Sequence, residues 1–152
     1  MMNGRDWNRR ATVVVLSIVA AAAGACRSPV ECAPAVPVTL LGAWNYSGVQ
    51  SSPSGANLGG TLDITSQCGR EFTGTLDVTE TDALGGVRRL TGTISGQVLD
   101  STAVDFDAFV DAAARRHVGT VAGDTIRGSW VEAGGGGGTA SGSFQGVKAA
   151  PQ

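Results

Sequence analysis

Charge is scarce in this chain. Asp, Glu, Lys and Arg make up 16% of 152 residues, the formal net charge is −2, and no block of basic residues occurs. That argues against a nucleic-acid-binding role, which needs a concentrated basic surface. Histidine is nearly absent: His117 is the single one, which excludes the familiar multi-histidine metal sites. The chain also lacks a Gly-x-Ser-x-Gly elbow, a His-Glu-x-x-His pair and a phosphate-binding Gly-rich loop, so no catalytic motif favours an enzyme. No segment carries a sustained helical period, and residues 112–116 suffice for one turn at most. Neither a cofactor nor a metal is expected.

The apolar run at 11–23 is too short to span a bilayer as a permanent helix. Arg5, Arg9 and Arg10 precede it and Ala23-Gly24-Ala25 follows, which is the layout of a bacterial export signal. Two processing routes fit. Ala-x-Ala suits ordinary signal peptidase, whereas Ala-Gly-Ala-Cys resembles a lipobox, in which Cys26 becomes the lipidated first residue. The cysteine count favours the second. Three cysteines are present, and lipidating Cys26 leaves Cys32 and Cys68 as a pair able to oxidise outside the cytosol. The resemblance to proteobacterial lipoproteins implies outer-membrane sorting, facing the periplasm, because Arg27 rather than Asp follows Cys26. The expected layout is a signal helix over 1–25, a lipidated tether over 26–39 with Pro29, Pro34 and Pro37, and one domain over 40–148.

What is abundant is glycine, with 23 residues, about twice its ordinary share of roughly 7%. Seven glycines open the same phrase of glycine, small residue, large apolar residue: Gly42-Ala43-Trp44, Gly60-Thr61-Leu62, Gly74-Thr75-Leu76, Gly92-Thr93-Ile94, Gly119-Thr120-Val121, Gly128-Ser129-Trp130 and Gly142-Ser143-Phe144. The glycine and the large residue share one strand face, with Thr, Ser or Ala on the other. Strands are predicted at about 41–49, 58–66, 70–79, 87–98, 102–110, 114–122, 124–132 and 139–147, separated by turn-rich stretches. The fold class is all-β: an eight-stranded antiparallel up-and-down meander. Closure into a barrel removes both edges, and a two-sheet sandwich with the same alternation is the rival.

The phrase Gly42-Ala43-Trp44 resembles the Gly-x-Trp opening of the first strand in calycins, the superfamily of lipocalins, fatty-acid-binding proteins and avidins. The eight strands and the final Gly-Ser-Phe strand are similar to the avidin type. The resemblance implies that Trp44 plugs the closed end of a barrel and that a cation late in the last strand, here Lys148, packs on it.

In a meander whose first strand starts at the bottom, Cys68, in the second turn, lies at the bottom, as does Cys32 before the first strand. A Cys32–Cys68 bridge fits that geometry. Interior phase assigns Trp44, Leu62, Ile64, Phe72, Leu76, Leu90, Ile94, Val98, Val104, Phe106, Val121, Ile126, Trp130 and Phe144 to the core. At the top the same phase delivers Tyr46, Glu80, Arg88, Arg115, His117 and Glu132, polar groups converging over an apolar floor, which is the usual form of a small-molecule site. Two plainer readings compete: charged residues at strand ends simply meet solvent, and a lone histidine is more often structural. Glu80 and Glu132 have no spacing that marks a glycosidase pair, and Asp105, Asp107 and Asp111 lack the glycine and terminal glutamate of a calcium loop. The stretch 134–138 at the same end reads as a lid or as slack linker. The expected function is a lipid-anchored, non-enzymatic envelope protein binding a small or hydrophobic ligand at its open end. The alternative is a scaffold or inhibitor that meets a protein partner through its top loops.

Overall fold

The computed structural model describes residues 32, 38–53, 55–133 and 139–150. The expected signal segment, the lipidation site Cys26, the tether prolines and the loop 134–138 lie outside the described residues. Eight strands follow one another: β1 (Gly42–Ser52), β2 (Asn57–Cys68), β3 (Glu71–Thr81), β4 (Val87–Val98), β5 (Ala103–Val110), β6 (Ala113–Ala122), β7 (Thr125–Ala133) and β8 (Ala140–Lys148). Each pairs antiparallel with the next, and β1 also pairs with β8, closing the barrel. Closure excludes the sandwich. The predicted strands hold, with β1 extended by three residues at its upper end.

Alternation drives the architecture. Buried and exposed positions alternate along β5 and β6, as expected where one face fills a core and the other meets water. Every residue assigned to the interior is buried, and Leu58, Val78, Ala108 and Val110 join them. The phrase glycines sit on the same inner face. At Gly60 a Cβ would strike the backbone of Asp77 and Val78; at Gly142 it would lie 2.8 Å from the Trp130 indole nitrogen. Glycine there lets neighbouring strands approach closely and leaves room for the large residue beside it.

The lower end is sealed. Trp44 is buried and its indole donates to the Leu40 carbonyl at 2.8 Å. Leu40, fully buried, donates its amide to Gln67 Oε1 at 2.7 Å, and Gln67 Nε2 donates to the Val38 carbonyl at 3.0 Å. Residues 38–40 thus cap the base. Lys148 Nζ lies 5.3 Å from the centroid of the Trp44 ring, a cation–π contact. The Cys32–Cys68 disulfide is formed, with Cα atoms 4.9 Å apart, at this same end.

The upper end carries the β1–β2 loop, the β3–β4 hairpin, the β5–β6 hairpin, the end of β7 and the start of β8. Asp82 Oδ1 ties the β3–β4 hairpin by accepting from the amides of Leu84 and Gly86, each at 2.8 Å. The β5–β6 connection is the two-residue turn Asp111–Ala112, with φ of 48° and 63°. Both values are positive, as in the type I′ turns that match strand twist. Residues 113–116 therefore belong to β6, not to a helical turn.

Candidate upper-end binding site

Strand β6 supplies the centre of the upper end, with Arg115 and His117 both on its inner face and buried. His117 Nδ1 lies 2.9 Å from the Arg115 carbonyl. A carbonyl only accepts, so Nδ1 carries the proton and Nε2 is the bare acceptor. Tyr46, on β1, then donates its hydroxyl to Nε2 at 3.2 Å. Burial pushes the His117 pKa down to about 4, with the Arg115 charge adding to the effect and the hydrogen bond to the Arg115 carbonyl opposing it. Burial likewise raises the Tyr46 phenol far above its ordinary range, against the lowering influence of Arg115. Both groups are neutral at physiological pH.

These two residues are not at the rim, where the sequence places them. Tyr46 is 3% exposed and His117 fully buried. The reason is strand length: β1 runs on to Ser52 and β6 begins at Ala113, so further inner positions stand above both side chains. Aromatic rings fill the barrel at this level. Phe106 stacks on His117 at 4.6 Å, Phe144 meets His117 edge-on at 5.0 Å, and Tyr46 stacks on Phe144 at 5.8 Å. The pair belongs to the floor of the upper end.

Above that floor the remaining candidates do meet. Arg115 donates from Nε to Glu132 Oε2 at 2.5 Å and from Nη2 to Glu80 Oε2 at 3.3 Å. Glu80 Oε1 accepts from Arg88 at 3.0 Å, and Arg88 reaches Asp111 at 3.6 Å. Exposure grades outward: the Arg115 side chain is 5% exposed, Glu80 13%, Glu132 21% and Arg88 56%. The inner ion pairs are therefore largely desolvated, and the outer ones are screened by water and contribute little. The Arg115 guanidinium carbon sits 5.0 Å from the centroid of the Trp130 ring. Two buried donors in this contact have no hydrogen-bond partner: Arg115 Nη1 and Trp130 Nε1.

Sequence reasoning missed two participants. Phase assigns Trp130 to the core alone and carries no sign of an unfilled indole N–H. In the sequence Asp111 stands only in a pattern that lacks the features of a calcium loop; a left-handed turn brings it to Arg88. Asp105 of that pattern is engaged instead by Arg116, at 3.0 and 2.7 Å. Two grooves along the strands include the floor residues Phe144 and Phe106 in their linings. One of about 510 Å³, lined in part by Ser47, Val49, Arg127 and Ser143, runs along the outer strand faces.

No family model matches the chain, and no curated protein matches it. Solved structures do. One, described as "Structure of EF1p2_mFAP2b bound to DFHBI", is 12% identical, covers 72% of this chain and 94% of that one, and superposes with a TM-score of 0.59. Another, described as a de novo designed fluorescence-activating beta barrel, is 19% identical over 72% of this chain and 93% of that one, with a TM-score of 0.48. At these identities the likeness is one of fold, and the first overlap carries it.

Proposed function

We propose that this chain is an exported, lipid-anchored binding protein, without catalytic activity, whose barrel takes a small or hydrophobic molecule at its upper end. The observation that carries the reading is the arrangement of Glu80, Arg115 and Glu132 above an aromatic floor of Tyr46, Phe106, His117 and Phe144. Few convergent polar groups over an apolar base are what a small-molecule site needs for orientation and affinity. A barrel of similar fold is described bound to DFHBI, which supports a barrel of this size as a ligand host. Lipidation at Cys26 tethers the chain six residues before Cys32, whose bridge is at the barrel base. The upper end is then the one left facing the periplasm, at the outer membrane.

Native mass spectrometry of protein extracted from its host's membranes tests both parts. A chain beginning at Cys26 with the added mass of lipid is expected, together with a non-covalent mass that leaves on gentle activation. An unlipidated Cys26 contradicts the anchor, and a barrel repeatedly found empty contradicts the ligand.

A second reading has its own support. The β3–β4 hairpin presents Leu84 at 97% exposure and Val87 at 71%, an apolar tip on the upper end above a packed interior. A scaffold or inhibitor would use that tip against a protein partner, and an empty barrel in the same experiment favours it.

A further inference from the structure

Arg115 is a charged side chain held inside a protein with one edge of its guanidinium unused. Nε and Nη2 are satisfied by Glu132 and Glu80, while Nη1 is buried without an acceptor. An unsatisfied buried donor is costly, and native structures leave few of them. Here a second one, the Trp130 indole N–H, belongs to the side chain on which the guanidinium lies. The Trp44 indole at the other end of the barrel is, by contrast, satisfied by Leu40. Among the described residues, unfilled buried side-chain donors are thus confined to the upper end.

Charge decides what can fill them. One guanidinium already meets two carboxylates, and the further cation, Arg88, stands in solvent against Glu80 and Asp111. An anionic ligand would bring a third negative group beside Glu80 and Glu132 in a poorly screened place. A cation would find the carboxylates but would leave Nη1 and the indole without acceptors. A neutral oxygen satisfies the donors and adds no charge.

Resting on the reading of the upper end as a ligand site, we infer that it recognises an uncharged hydrogen-bond acceptor, a carbonyl or amide oxygen on a compact aromatic or apolar body, through Arg115 Nη1 beside Trp130. Nη1 and the floor are both buried, so binding has to part the ion-paired layer of Arg115, Glu80 and Glu132; the body then lies against the aromatic floor and the oxygen supplies the missing acceptor. Arg115 is here a binding residue, and Glu80 and Glu132 are positioning residues that set its charge balance.

Matched probes test this: benzamide, benzoate and benzylamine, titrated into the ¹⁵N-labelled chain from its host's membranes in detergent micelles. The indole N–H signals of Trp130 and Trp44 are followed. Benzamide is expected to shift the Trp130 signal saturably and leave that of Trp44 in place, with benzoate and benzylamine weaker by about tenfold or more. In Glu132→Gln, which keeps an acceptor for Arg115 Nε but removes one negative charge, benzoate should draw level with benzamide to within about threefold. Benzoate or benzylamine binding as well as benzamide to the unaltered chain overturns the inference while leaving the ligand site in place. No response to any probe overturns it as well, the donors then being met by water alone; the extracted protein's bound mass separately decides whether the site exists.

Discussion

The hydroxyl of Tyr46 donates to Nε2 of His117 across the barrel interior, 3.2 Å away and 71 residues apart in sequence. That bond joins β1 to β6, and it exists only while His117 is neutral, because its other nitrogen is committed to the Arg115 carbonyl.

Acid should therefore weaken the fold through His117. Its pKa is about 4 in the folded chain against 6.5 when unfolded. Between these values the unfolded chain binds a proton that the folded chain does not, so stability is fully present above pH 6.5 and falls as pH drops to 4. The loss expected is about 3 kcal/mol. Urea unfolding from pH 7.5 to 4 measures it, and a flat profile over that range contradicts the assignment. The carboxylates of Asp77 and Asp105 are held low by Arg89 and Arg116, so their share is lost only at still lower pH.

Removing the phenol hydroxyl isolates the other half of the pair. Tyr46→Phe keeps the stacking on Phe144 but leaves Nε2 without a donor, which should cost about 1–3 kcal/mol. Denaturant midpoints at pH 7.5 give the value; no change would mean that the bond contributes nothing.

The disulfide closes a loop of sequence separation 36. In the chain-entropy picture its removal costs about 4 kcal/mol. Cys32→Ser should lower the unfolding midpoint accordingly and expose Cys68 to thiol reagents in the native protein. An unchanged midpoint together with an inert Cys68 in that variant would contradict the bridge.

Ala112 holds φ at 63°, a conformation that costs a side-chain-bearing residue about 1–2 kcal/mol. Ala112→Gly relieves it while loosening the unfolded chain, and a net gain of about 1 kcal/mol is expected. Thermal or urea unfolding that shows a loss would contradict the strain.

How much of this was legible follows from range. The glycine phrases expose the inner phase because glycine and bulky residue must share a face wherever strands crowd, so Trp44, Leu62 and Phe144 are readable from spacing alone. Depth is harder. His117 and Tyr46 are correctly phased but sit lower than expected, since the end of a strand depends on its partner: β1 reaches Ser52 because β8 continues to pair with it across a bulge. Leu40 was invisible for a similar reason. It lies outside every strand and is buried only because Gln67, 27 residues later, takes its amide. The meeting of Arg115 with Glu80 and Glu132 was half visible: phase places all three at one end, whereas the free Nη1 depends on distances that no pattern encodes.

The most direct test of the central claim is a crystal structure of the protein purified from its host's membranes and never stripped of bound molecules. Density for a small molecule is expected at the upper end, with an acceptor at about 3 Å from Arg115 Nη1 and its body against the aromatic floor. An upper end in which Nη1 meets only water, in protein that retains its lipid anchor, would contradict it.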